Sequence, residues 1–179
     1  METYIALLRG INVGGHKRVP MAELRTLFAK LGYADAITYI QSGNVVFNGP
    51  LSNEGQLSAT LEMGIKKTFG FDVPVLLRSK GKLRSMMTEN PFVGASNFTE
   101  SQMYYLLLKQ WPTVSFSVLE KAAYPNEKFA LGTDCLYLYC TKGYGNAKLN
   151  AAVLERKLKV EVTARNHKTM QKILELSGV

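Results

Sequence analysis

The sequence predicts an α+β protein built from two tandem halves, each an antiparallel sheet with helices. Three observations carry that expectation. Short apolar runs and segments of helical period follow one another in the order β-α-β-β-α-β-α, and the order occurs twice. Each half contains two strand-like runs joined by a glycine-bearing turn, which sets antiparallel pairing. A polar stretch with Pro91 and Gly94, from Asn90 to Glu100, separates the two series. Only the order of elements repeats; sequence identity between the halves is negligible.

In the first half, TYIALL (3–8) is a buried strand. Pro20 suits the first turn of a helix, and Met21, Leu24, Leu27, Phe28 and Leu31 recur at helical spacing. ITYIQ and NVVFN flank Ser42-Gly43 as a hairpin with a two-residue loop. Leu57, Leu61, Ile65 and Phe69 mark the second helix, and VPVLLR (73–78) is the fourth strand. Leu83, Met86 and Met87 give a short third helix, closed by Asn90-Pro91.

The second half opens with the strand MYYLLLK (103–109), followed by a helix carrying Phe116, Leu119 and Ala123. EKFAL and CLYLYC flank Gly132-Thr133-Asp134 as another hairpin. Leu149, Val153, Leu154 and Leu158 lie on a helix, VEVTA (160–164) is a strand, and Met170, Ile173 and Leu174 mark the last helix. Each half therefore matches a ferredoxin-like βαββαβ unit with one added helix. The expected boundaries are 1–91, a linker at 92–100, and 101–179.

With 46% hydrophobic and 20% charged residues, the 179-residue chain has the composition of a globular protein rather than a disordered one. METYIALLR is too short and wrongly flanked for a signal peptide, and no apolar run nears the roughly 18 residues of a membrane span. The expectation is a cytoplasmic protein with no membrane partner. Cys135 and Cys140 are the only cysteines. On one strand their odd separation puts them on opposite faces, so they do not bridge each other. No Cys or His pairs stand at metal-ligand spacing, so neither a metal nor a cofactor is expected.

The net charge of +8 is uneven. Lys142, Lys148, Arg156, Lys157, Lys159, Arg165, Lys168 and Lys172 face only Glu155 and Glu161 over that stretch, and Arg78, Lys80, Lys82 and Arg84 form a smaller cluster. Such a field favours anionic partners without specifying one, and a solvated surface is the plain alternative.

The topology turns these residues into neighbourhoods. In a ferredoxin-like unit the first strand–helix loop and the hairpin leave the sheet at one end. Arg9, Asn12, Gly14, Gly15 and Lys17 then stand beside Gln41, Ser42 and Asn44. At the opposite end of the second sheet, Lys142, Gly143, Tyr144, Gly145 and Lys148 approach Arg165, Asn166 and His167.

LLRGINVGG, then KRVPM, then TYIQSGNVVF resemble the uncharacterised bacterial family known as domain of unknown function 1697. The likeness extends to Lys142-Gly143-Tyr144-Gly145 with Lys148-Leu149, and to Thr163-Ala164-Arg165-Asn166, so it spans nearly the whole chain. Family members carry Trp after that asparagine, where this chain has His167. The resemblance implies two ferredoxin-like halves and supplies no reaction.

Gly10 and Gly15 have the spacing of a Walker-type loop, but His16 stands where lysine is required, and the dinucleotide fingerprint is absent. A looser role remains, in which backbone amides near a helix start, with Arg9 and Lys17, hold an anion. The competing reading is that the glycines only serve left-handed turns. The Lys142–Lys148 loop allows the same pair of readings. Tyr137 and Tyr139 share a strand face, with Tyr104 or Tyr105 on the neighbour, as in RNA-binding sheets, yet the surrounding RNP1 pattern is missing. Catalysis lacks a recognisable constellation; it would need Arg9 and Arg165 for charge and His16 or His167 for protons. The leading expectation is a small phosphate- or carboxylate-bearing ligand on the glycine-bearing loops. Single-stranded nucleic acid on the basic second half is the alternative, and an enzyme acting on a small phosphorylated substrate comes third.

Overall fold

A computed structural model of the chain describes residues 1–120 and 122–178. The element order is β1 (Glu2–Leu8), α1 (Met21–Lys30), β2 (Ile37–Tyr39), β3 (Asn44–Gly49), α2 (Glu54–Phe69), β4 (Val75–Ser79) and α3 (Lys80–Thr88). It continues with β5 (Met103–Leu108), α4 (Ser117–Glu120), β6 (Glu127–Leu131), β7 (Cys135–Cys140), α5 (Ala151–Leu158), β8 (Val162–Asn166) and α6 (His167–Leu176). Short 3-10 turns sit at Glu100–Gln102 and Tyr144–Asn146. No helix among the described residues is long and apolar enough to cross a membrane.

The sheets have the orders β2-β3-β1-β4 and β6-β7-β5-β8, with every neighbouring pair antiparallel. These are two ferredoxin-like halves, as expected. By backbone contacts the chain forms one unit from Met1–Arg84 with the residues from Lys172 on, and a second from Ser85–Gln171. The end of α3 thus belongs to the second unit and the end of α6 to the first.

The repeat extends to register. Tyr4 pairs with Phe47 and Ser79 in the first sheet, while Tyr104 pairs with Leu138 and Asn166 in the second. Helix starts repeat too. Asn53 and Asn150 cap α2 and α5 with side-chain oxygens, satisfying N–H groups that have no partner inside the helix. Ser79 Oγ accepts from Lys82 N, and Asn166 Oδ1 from Thr169 N, at the starts of α3 and α6.

Strand alternation gives each sheet two buried faces. One packs under helices: Tyr4, Ala6, Leu8, Val45, Phe47 and Leu77 join Leu24, Phe28, Leu61 and Ile65 in the first unit. Leu106, Leu108, Leu136 and Leu138 join Leu154 and Leu158 in the second. Cys140 lies in that helix-side core whereas Cys135 does not, so the two thiols take opposite faces. The other face buries Ile5, Leu7, Asn44, Val46, Leu76 and Arg78 in the first unit. In the second it buries Met103, Tyr105, Leu107, Cys135, Tyr137, Tyr139, Thr163 and Arg165.

Four local expectations shift. The first hairpin loop holds four residues, because β2 stops at Tyr39 and the Asn44 side chain donates to the Tyr39 carbonyl that further pairing would use. Strand β4 begins at Val75, since Pro74 has no N–H to give and offers its carbonyl to Arg9 N instead. Helix α4 covers Ser117–Glu120 and includes neither Phe116 nor Ala123. Strand β8 starts two residues late, after Lys159 turns the chain at φ 58° and Val160 packs into the helix-side core.

Candidate functional site

The first predicted neighbourhood is assembled as the topology requires. Leu8 N donates to Gly43 O at 2.8 Å and Arg9 N to Pro74 O at 2.9 Å, so the loop after β1 leaves beside the hairpin. Buried Ile11 and Val19 anchor its two ends. Between them Val13 and His16 bridge across Gly14 and Gly15, which both have positive φ (60° and 78°), the backbone of a tight hairpin turn.

Asn12 holds this small hairpin in place. Its Nδ2 donates to Val19 O at 3.0 Å and to Gln41 O at 2.8 Å, and its Oδ1 accepts from Val19 N at 2.9 Å. Asn44 is fully buried, and its Nδ2 donates to Tyr39 O and to Ser42 Oγ. The amides of Asn12 and Asn44 are therefore spent on shaping the loops. The groups left toward solvent are His16, Arg18 and Gln41, with Arg9 half-buried and Lys17 Nζ donating to the Asp72 carbonyl at 2.7 Å. Ile40, a β-branched residue at φ 49°, marks a strained turn held by its surroundings.

The loop of residues 142–148 makes its contacts with Tyr104, Glu127 and the start of α5 rather than with Arg165 or His167. Tyr144 stacks on Tyr104 at 4.7 Å, and its hydroxyl accepts from Ala151 N. Lys148 N donates to Glu127 Oε1, and Asn150 Oδ1 takes Val153 N. The start of α5 is thus largely occupied by the chain's own acceptors. Lys142, Gly145 and Lys148 are exposed and Gly143 partly so, whereas Asn166 spends its side-chain oxygen capping α6. Arg165 is buried on the strand face, where its Nη1 donates to Thr163 Oγ1 and Ala164 O. Burial lowers its pKa to about 10, which leaves it charged at neutral pH. Arg78, at the equivalent register, is buried too and donates to the Leu77 carbonyl, so neither arginine belongs to a surface cluster.

Sequence reasoning missed a polar network on the same face of the second sheet. Asn90 Oδ1 accepts from Phe92 N, so its Nδ2 is the donor to Tyr105 Oη at 2.9 Å. The Tyr105 hydroxyl also hydrogen-bonds His167 Nδ1 at 2.9 Å, Tyr105 donating when that nitrogen is unprotonated. Burial lowers the His167 pKa, and Glu100 only partly opposes it. Burial likewise pushes Tyr105 up to about 12 against the Asn90 hydrogen bond. Tyr139 accepts from Thr99 N and donates to Asn97 O, while Phe92 and Phe98 pack on its ring. Residues 90–99 are therefore fastened to this sheet. Strand parity could have shown that Tyr105, Tyr137, Tyr139 and Arg165 share one face; the partners from residues 90–99 have no sequence signal.

Chemically these groups form no exposed nucleophile–base pair. Tyr105 and His167 touch but are closed from water, at 0% and 4% exposure. Burial, then Glu127, pushes the Cys140 thiol up to about 11, which keeps it protonated. The rings of Tyr105, Tyr137 and Tyr139 are buried and offer no open face to a base.

The family model for proteins of unknown function, DUF1697, matches residues 1–137. The chain belongs to the DUF1697 family. Its fold is similar to that of the conserved bacterial protein SP0830 from Streptococcus pneumoniae, with a TM-score of 0.76 and 24% identity over 100% of this chain and 99% of that one. No functionally curated protein matches it. The DUF1697 region includes the whole braced loop of residues 9–20 and the hairpin beside it, whereas the Lys142–Lys148 loop lies beyond it.

Proposed function

We propose that this protein binds a small anion, bearing phosphate or carboxylate, on the loop of residues 9–20 beside Gln41 and Ser42. The observation that carries the reading is a preformed basic loop. Asn12 braces it with three hydrogen bonds, and it carries Arg9, His16, Lys17 and Arg18 with no acidic residue before Glu23. It runs into α1, whose N-cap position is Pro20 and whose first turn receives no side-chain cap. Uncapped N–H groups, the positive end of the helix dipole and nearby cations all favour negative charge. A loop already fixed in shape also loses little entropy on binding. Lys142 and Lys148 add to the overall field, but the donors around their loop are engaged, so the first loop is the better candidate.

The test is thermal melting with inorganic phosphate, citrate and a set of nucleoside and sugar phosphates, each also run on Arg9→Ala/Lys17→Ala. A bound anion raises the midpoint through linkage, by an amount that grows with concentration. The expected result is a rise with at least one anion that the double variant loses. No rise with any anion, or an equal rise in the variant, overturns the reading. A random single-stranded oligonucleotide run beside these distinguishes the polymer: its retention would fall steeply with salt.

A further inference from the structure

A strand at the edge of a sheet presents unpaired N–H and C=O groups, and folded proteins cover or interrupt such edges. The outer strands here are β2, β4, β6 and β8. Helix α2 closes β4: Glu62 Oε1 accepts from Val75 N at 2.7 Å and Glu54 Oε1 from Ser79 N at 3.0 Å, while Ser58 Oγ donates to the Val75 carbonyl. Glu155 of α5 accepts from Val162 N at the start of β8. Strand β2 is only three residues long, and Arg25 of α1 reaches its Thr38 side chain.

Strand β6 is treated differently. Gly132 N donates to Cys135 O and Thr141 N to Asn126 O, so the even-numbered residues bond to β7. Glu127, Phe129 and Leu131 therefore turn their backbone groups outward. Glu127 N donates to Tyr124 O, but among the described residues none bonds the amide or carbonyl of Phe129 or Leu131. The helix that follows β5, α4, has four residues against ten in α1. At the end of this open edge Leu131 is 48% exposed and Trp111 52%, and with Gly132 and Thr133 they line a cleft of about 450 Å³.

We propose that β6 pairs antiparallel with β6 of a second copy of this chain, joining two four-stranded sheets into one. The strand's own sequence, Glu127-Lys128-Phe129-Ala130-Leu131, favours this partner. Pairing about Phe129 sets Lys128 opposite Ala130 and Glu127 opposite Leu131, so no like charges stand directly opposed. The two Phe129 residues exchange N–H···O bonds, and each Leu131 amide meets the other copy's Glu127 carbonyl. The same register carries the exposed Pro125 of each copy toward the Leu131–Thr133 end of the other, where Trp111 stands. No residue of this edge belongs to the anion-binding loop.

Sedimentation of the full chain, from micromolar to millimolar concentration and at low and high salt, tests the pairing. The expected result is a monomer–dimer equilibrium that tightens as salt screens the net charge of +8 on each copy. Leu131→Lys puts a charge on the edge, and Leu131→Pro removes an amide that bonds nothing within the chain. Each should weaken the dimer about tenfold or more. Proline is accepted where a strand's N–H faces outward, so melting of the diluted monomer should change little. Met63→Lys, at an exposed apolar position on α2, should leave the dimer as it was. A monomer up to millimolar concentration overturns the proposal. So does a dimer that loosens with salt, that either Leu131 variant leaves as tight, or that Met63→Lys weakens as much.

Discussion

The two halves share a topology and a register, and differ in what they place at equivalent points. Ile5 and Tyr105 occupy the same position on their central strands, opposite Arg78 and Arg165. In the first half that face is mostly aliphatic, with Ile5, Leu7, Val46 and Leu76. In the second it carries tyrosines, a threonine and a thiol, tied to His167 and Asn90. The helix-side cores reverse the contrast. Phe47 meets Tyr4, Phe28 and Tyr33 in an aromatic cluster, while its counterpart Leu138 lies in a mainly leucine core with Tyr104 and Phe129 as its cross-strand neighbours. Backbone pairing therefore defines the fold in both halves, and side chains are free to specialise around it. Apolar packing dominates the first unit, and the second adds directional polar contacts.

The largest expected effect tests that contrast in the cores. Phe47→Ala removes a ring packed against three others and should destabilise the protein by about 3–5 kcal/mol. Leu138→Ala should cost about 2–5 kcal/mol, toward the lower part of that span, because it creates the smaller cavity. Urea unfolding of the two variants measures both. A Phe47→Ala cost at or below that of Leu138→Ala would remove the aromatic cluster's special weight.

The next effect is in the backbone. Gly43 and Asp134 hold the same place, each giving its carbonyl to the last residue of the central strand. Gly43 has φ 77°, and a Cβ there would lie 2.7 Å from both Leu8 Cβ and Ile11 Cδ1. Gly43→Ala therefore combines left-handed strain with overpacking, for about 2–4 kcal/mol. Asp134→Ala should cost less than about 1 kcal/mol. Equal costs in thermal or urea unfolding would show that the two hairpins impose the same constraint.

Most of the fold was legible because it rests on signals that sequence carries. Short apolar runs in TYIALL and CLYLYC, helical spacing from Leu57 to Phe69, and glycine-bearing turns are all local patterns of residue type. The topology also set the loop after β1 beside the hairpin, where Asn12 reaches Gln41. What the sequence did not carry was the direction of side chains. Asn12 and Asn44 turn inward to hold loops, Asn166 caps a helix, and Arg165 lies within the sheet face. Each is a polar residue whose partner is a backbone atom, and such partners leave no pattern in residue types. The Tyr105–His167 contact joins residues far apart in the chain, which only folding brings together.

That contact gives the smallest effect and the sharpest difference between the halves, because Lys80 stands where the second half has His167. Burial lowers the pKa of the His167 imidazole below the unfolded value of about 6.5. As pH falls, the unfolded chain takes up the proton first, so its contribution to stability is full above about pH 6.5 and declines toward the folded pKa. Protonation would also place a second donor against the Tyr105 oxygen, which already accepts from Asn90. His167→Asn keeps an acceptor near the Nδ1 position and removes the titration. Melting midpoints from pH 8 to 5 should fall less in this variant than in the parent, whereas Lys80→Ala should leave the slope as it was. Parallel slopes for parent and His167→Asn would mean that the imidazole does not couple this face to pH.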